Sequence, residues 1–143
     1  LSRSTKSAFE FRPVTVNDLA ILHSAALSGI DIARIEGGNQ MLCWGPTKHG
    51  HGPFALIDYT ETEYVIEPHV TWLPWATLRL KKQGFEWALR QWNKVVFLLV
   101  HEQHTAFYDM CVKRGLLRKI GELETNGAPG GDIHMYQKRI DNE

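Results

Sequence analysis

The stretch that most limits what this chain can fold into is "NKVVFLLVH" (93–101), a short and nearly unbroken apolar run. Such a run is the mark of a strand covered on both faces. Helix patterns flank it: "ATLRLKKQGFEWALRQW" (76–92) before, and "EQHTAFYDMCVKR" (102–114) after, stopped by Gly115. Ahead of these, "EYVIEPHVTW" (63–72) has the β-branched and aromatic content of a second strand. Two strands joined by a helix of this length lie parallel with a right-handed crossover. In such sheets ligands bind beyond the carboxyl ends of the strands. Here those ends are residues 69–75 and 101–104, and the expected site is placed there.

The remaining segments build around that unit. Residues 1–8 read as a loose leader. "FEFRPV" (9–14) alternates apolar with charged residues as a short strand does, and Pro13 ends it or puts it at an edge. "TVNDLAILHSAALSG" predicts a helix, with Thr15 as N-cap, Asp18 favouring its positive end and Gly29 as the stop. "IDIARIEG" predicts a short second helix. "QMLCWG" (40–45) and "FALIDY" (54–59) read as strands on either side of a turn-rich loop, "PTKHGHGP" (46–53), and "TETE" turns the chain into the central strand. "GLLRKIGELE" (115–124) and "GDIHMYQKRI" (131–140) read as two strands joined by "TNGAPGG". The economical fold class is α/β (α+β): a mixed, mostly antiparallel sheet with a central parallel strand pair and helices on both faces, in one domain over residues 9–140.

Composition narrows the function classes. At 143 residues the chain holds one real core, and 43% hydrophobic content argues against disorder. Sixteen basic residues offset sixteen acidic ones, so a nucleic-acid partner is not favoured. Cys43 and Cys111 lie far apart without CxxC spacing. Free thiols in a reducing cytoplasm are the default, with a disulfide the alternative. No apolar run approaches the roughly 20 residues that cross a bilayer, so no membrane partner is expected.

The order of these elements resembles the GCN5-related N-acetyltransferase (GNAT) fold over residues 9–140. "FRPVTVNDLAIL" is similar to that superfamily's opening, and "VVFLLVHEQHTAFYDMCVKRGLLRKIGEL" to its closing half. The pairing of "HVTWLPWATLRL" with "KRGLLRKIGEL" also resembles small, divergent members encoded by tailed phages. The resemblance implies acyl transfer from acetyl-CoA or another acyl-CoA to an amine, without a metal. An amine with a pKa near ~10.4 is protonated at neutral pH and needs a base. The tetrahedral intermediate needs a donor, which the family takes from a strand amide. The pyrophosphate needs free amides at a helix N-terminus, usually in a loop of pattern Q/R-x-x-G-x-G/A.

The residues in those places are particular to this chain. On the pyrophosphate pattern "TWLPWAT" (71–77) matches only at Ala76, with Pro74 on the first Gly position, where it removes an amide. The cofactor-binding candidates are Val70, Thr71, Trp72, Trp75, Ala76, Thr77 and His104. Glu67 and His69 alternate onto one face of the central strand and suit proton removal from an amine; the alternative is an ordinary polar strand edge. Pro68 implies that this strand is bulged or unpaired there. The family's acid is a Tyr four residues before the Gly that ends the last helix. That count reaches Cys111, so Tyr108, one turn earlier, is the substitute, or else a core aromatic. A metal at His101 and His104, or at His49 and His51, lacks further ligands. Trp87 and Trp92 read as core with Leu78, Phe85, Ala88 and Leu89. Trp72 and Trp75 are candidates to stack on a ligand, to lid the core or to meet a partner.

Two readings of function follow, with a small-ligand sensor as a third. The first is an acyl-CoA-dependent N-acyltransferase acting on a small-molecule or protein amine, with Glu67 or His69 as base, an amide near Val70 for the oxyanion and Tyr108 as acid. The alternative is a catalytically degenerate GNAT-fold interaction protein, a phage accessory or virion component. It would meet a second copy or a protein partner through an apolar patch of Trp72, Leu73, Pro74 and Trp75. The expected location is the cytoplasm, or the virion for a phage protein.

Overall fold

The structure is a computed structural model that describes residues 7–24 and 39–140. Its strands are β1 (Glu10–Pro13), β2 (Gln40–Thr47), β3 (Gly50–Glu61), β4 (Val65–Trp72), β5 (Val95–His101), β6 (Leu117–Leu123) and β7 (Ile133–Lys138). Its helices are α1 (Leu19–Ser24), α2 (Leu78–Gln91) and α3 (Thr105–Lys113), with 3-10 turns at Val16–Asp18 and Glu102–His104. The strands form one sheet in the order β1-β2-β3-β4-β5-β7-β6. The β4–β5 pair is parallel, and the other pairs whose register is defined are antiparallel. This is the mixed, mostly antiparallel architecture expected from the order of elements. The expected helix over 30–37, and the expected continuation of α1 toward Gly29, lie outside the described residues.

The chain groups into two compact units, Leu1–Tyr59 with Val70–Trp87 and Thr60–His69 with Ala88–Glu143. In the first, the Asp18 carboxylate accepts from the Thr15 N–H at 2.8 Å and its hydroxyl at 3.0 Å, which fixes the chain's entry into α1. Val14, Leu22, Leu42, Leu56 and Leu73 form a buried cluster, with Trp44 and Trp75 packed on it. A second contact set centres on Phe54, whose ring meets Phe9 edge-on and lies parallel to Trp72. Gly84 explains itself here: a Cβ at that position of α2 would sit 2.5 Å from the Phe54 ring.

The hairpin of β2 and β3 corrects one expectation. Residues 46–53 are not a loop; the strands pair through Thr47 and Gly50, leaving only Lys48 and His49 at the tip. The Gly and Pro residues that read as turn signals sit inside the ladder, where Gly52 faces Gly45 and Pro53 faces Trp44 across the register shift at Cys43 and Trp44. Leu78 is also corrected. It belongs to the first turn of α2 but is 56% exposed, whereas Phe85, Ala88, Leu89 and Trp92 are buried as expected.

In the second unit β5 pairs with β7 from Phe97↔Gln137 to His101↔Ile133. Tyr136, wholly buried, donates from its hydroxyl to Asp109 of α3 at 2.6 Å. Gly115 ends α3 at φ +80°, with the Leu116 N–H on the Cys111 carbonyl and the Gly115 N–H on that of Val112, a closure that favours glycine. Lys138 donates to the Leu89 and Trp92 carbonyls at the end of α2. These bonds tie β7 to α3 and to the end of α2.

Candidate active site

The parallel ladder is short for a chemical reason. Its register runs through Val65↔Val95 and Ile66↔Val96, and the Val95 N–H donates to the Tyr64 carbonyl at 3.0 Å. In a parallel pair every second residue of a strand both donates and accepts. Tyr64, just before β4, and Ile66 on it are those residues, so the next amide β4 would give to β5 belongs to position 68. That residue is Pro68, fully buried and without an N–H. Registered pairing stops before it. Below this point the pair is pinned: Lys94 donates to the Thr62 carbonyl at 2.7 Å and forms an ion pair with Glu61 at 2.9 Å.

Glu67 and His69 flank Pro68 where the ladder has ended. Their side chains share a side of the strand, with His69 Nε2 3.4 Å from Glu67 Oε1. The alternation expected from the sequence thus brings the two together. The imidazole is largely exposed and the carboxylate about a quarter exposed. Such a pair can accept a proton at the ring nitrogen and stabilise the resulting cation with the carboxylate.

Beyond β4 the chain makes a tight turn, with the Ala76 N–H on the Leu73 carbonyl at 2.9 Å and Pro74 at its second position. Pro74 at this place sets the backbone for the turn and gives up an amide. The Thr77 hydroxyl then accepts from the Leu80 N–H at 3.2 Å, so Thr77 caps α2. The fit to a pyrophosphate is therefore partial. Ala76 and Leu80 have spent their amides, while those of Leu78 and Arg79 belong to a first turn that has no intrahelical acceptor. No acidic residue lies in that first turn, and Arg79 and Lys81 supply positive charge.

The two tryptophans of this stretch are engaged within the chain. Trp75 Nε1 donates to the Pro53 carbonyl at 2.8 Å, and Trp72 lies parallel to the Phe54 ring with the Lys81 ammonium 5.7 Å from its own centroid. Leu73 is buried, and of residues 72–75 only Pro74 is exposed. Val70 is half-buried and Thr71 exposed on the last residues of β4.

Tyr108 is buried on α3, with its ring 5.9 Å from that of Tyr136 and edge-on to Phe107. Burial, with Cys111 adding, pushes its hydroxyl well above the usual phenol range, so it holds its proton throughout the neutral range. His101 and His104 are exposed. The amides of Glu102 and Gln103 between them donate to the Asp132 and Gly130 carbonyls at 2.8 and 3.2 Å. Among the described residues no group of three or more His, Cys, Asp or Glu is arranged to hold a metal ion.

The sequence reading passed over Asp109, Tyr136 and His134. Strict alternation in "IHMYQK" puts His134 and Tyr136 on one face of β7, and both are buried. That alternation was the available signal; what it lacked was which face α3 covers.

No family model matches the chain, and no curated protein matches it by sequence. Solved structures match it in fold. A GNAT-family acetyltransferase from Bacillus anthracis has a TM-score of 0.65 at 11% identity, over 97% of this chain and 98% of its own. A spermidine N-acetyltransferase SpeG chimera from Vibrio cholerae and hSSAT reaches 0.64 at 15%, over 92% and 96%. Arabidopsis thaliana Naa50, in complex with the bisubstrate analogue CoA-Ac-MVNAL, reaches 0.58 at 11%, over 94% and 100%. The architecture of this chain is the GNAT fold.

Proposed function

We propose that this chain is an acyl-CoA-dependent N-acyltransferase that moves an acetyl or other acyl group onto an amine. The observation that carries the reading is the Glu67–His69 pair, 3.4 Å apart on β4 where Pro68 ends the parallel ladder. Its support is the fold, shared with proteins named as N-acetyltransferases, one of them bound to a CoA bisubstrate analogue.

In this reading the acceptor arrives as an ammonium ion and gives a proton to His69, whose positive charge Glu67 offsets. The amine nitrogen then attacks the thioester carbon, with the oxyanion held by a free strand amide near Val70. The C–N bond forms and the C–S bond breaks. The acylated nitrogen gives its second proton to Tyr108 as the Tyr108 hydroxyl passes its own to the departing thiolate, so the buried phenol ends the step protonated as it began. The pyrophosphate end is assigned to the amides of Leu78 and Arg79 beside the Arg79 and Lys81 cations, with Thr71, Trp72, Trp75, Ala76 and Thr77 shaping that end.

A degenerate scaffold has one observation in its favour, the Gly-free turn at Pro74 with the Ala76 amide already spent. Of the apolar patch it would present at residues 72–75, Leu73 is buried, Trp72 and Trp75 are half-buried against other parts of the chain, and Pro74 is exposed. Thiol release from acetyl-CoA, followed over a panel of a polyamine, a free amino acid and a peptide with a free N-terminus, tests the assignment. Turnover with at least one amine, lost in Glu67→Gln, is expected. Absence of thiol release across the panel, together with no acetyl-CoA binding, would replace it with the scaffold reading.

A further inference from the structure

His134 sits where three pieces of chain meet. It is 9% exposed, and both ring nitrogens are closed off from solvent without a hydrogen-bond partner among the described residues. Nδ1 lies 3.7 Å from Glu122 of β6, and Nε2 lies 3.9 Å from Glu102 at the turn that opens α3. Those are ion-pair distances on opposite sides of one ring, an arrangement unsuited to a shared metal. A neutral imidazole carries one N–H and would turn a bare lone pair toward one of the carboxylates. Only the imidazolium offers a proton to both.

The other elements around the ring leave this balance in place. β5 presents Val100, its partner across the ladder. From β6, Lys119 reaches the same Glu122 oxygen at 2.6 Å. From α3, Asp109 is taken by the Tyr136 hydroxyl, and Tyr108 is buried and protonated. Two residues before His134, the Asp132 carboxylate accepts from the Thr125 N–H at 3.2 Å.

The same place carries a backbone seam. The loop 124–132 between β6 and β7 gives its Asp132 and Gly130 carbonyls to the Glu102 and Gln103 amides. Gly131 lies so close to Glu102 that a Cβ would stand 2.7 Å from its carboxylate oxygen.

We infer that His134 is a protonation latch: as the imidazolium it ties Glu102 to Glu122 and holds the loop 124–132 on the turn that opens α3, and as the neutral ring it lets Glu102 go and the loop loosens. The cation is the binding form, so the latch is present at low pH and is lost as pH rises. The consequence for catalysis rests on the acyltransferase reading. The loop lies against the carboxyl end of β5, so its release would change the KM for the amine rather than the chemical step.

Hydrogen exchange by NMR on the intact chain, between about pH 5 and about pH 8, tests the latch. The reporters are the Glu102 and Gln103 amides, corrected for intrinsic base catalysis. Their protection should fall about two- to fivefold as pH rises, the size expected of ion pairs with exposed partners. In Glu102→Gln, an exposed position, protection should be lower and flat with pH, and His134→Gln should behave alike. Wild-type protection that ignores pH, or a Glu102→Gln profile with the wild-type slope, would overturn the latch. If His134→Gln does not fold, Glu102→Gln alone decides. Neither readout uses acyl-CoA or an amine, so the latch and the acyltransferase assignment can fail separately.

Discussion

Glu67 and His69 meet because residues two apart on an extended strand project to the same side, and Pro68 between them keeps the strand edge from closing. Both side chains are partly solvated, so replacing them costs little packing. Glu67→Gln and His69→Ala should each lower kcat by about 10²- to 10⁴-fold, as expected for a general base, with stability changed by no more than about 0.5 kcal/mol. Steady-state kinetics and urea denaturation on the same preparations check both halves. Tyr108→Phe keeps the buried ring and removes only the proton. It should lower kcat with KM little changed; an unchanged kcat would return Tyr108 to a packing role. At this scale the strand pair was readable because alternation needs no tertiary information. Tyr136 and His134 obey the same alternation, but their burial depends on tertiary neighbours, Tyr108 and Asp109 of α3 at Tyr136 and Glu122 and Glu102 at His134, which no local pattern reports.

The order of strands and helices followed from period, apolar runs and stop residues, and β4 through β7 lie within a few residues of where those signals put them. The error at β2 and β3 has a physical source. Gly and Pro in residues 46–53 mark turns by conformational freedom, yet in an edge-side hairpin with a register shift they fit inside the ladder. Gly84 makes the converse point. In an isolated helix, Gly to Ala gains about 1 kcal/mol of propensity. Here the new Cβ would meet the Phe54 ring at 2.5 Å, and Phe54 is held by Phe9 and Trp72. Gly84→Ala should therefore destabilise, by about 1 to 3 kcal/mol less the propensity gain, read from the urea midpoint. Pro68→Ala restores the amide that the ladder lacks. Exchange protection should extend along β4 past Ile66, and acyl-CoA should bind more weakly.

For the molecule as a whole, charge sets the pH window of stability. Glu10 is held below the ordinary carboxylate range by its hydrogen bond to Arg12, and Glu122 by its hydrogen bond to Lys119. The unfolded chain binds those protons first, so stability present above about pH 4.3 should be lost as pH falls. Tyr108 and Tyr136 are shifted the other way, chiefly by burial, so the unfolded chain releases their protons first and stability should be lost as pH rises past about 10. Urea midpoints across pH should show that plateau, and Tyr108→Phe should soften its alkaline edge. Among the described residues no helix is long and apolar enough to cross a membrane. The central claim is that this chain binds an acyl-CoA, and titration calorimetry of acetyl-CoA into the wild-type chain tests it most directly. One molecule should bind per chain, with a matching thermal stabilisation of about 2.7 kcal/mol when the ligand is at 100 times its Kd. No heat and no thermal shift at millimolar acetyl-CoA would contradict the claim.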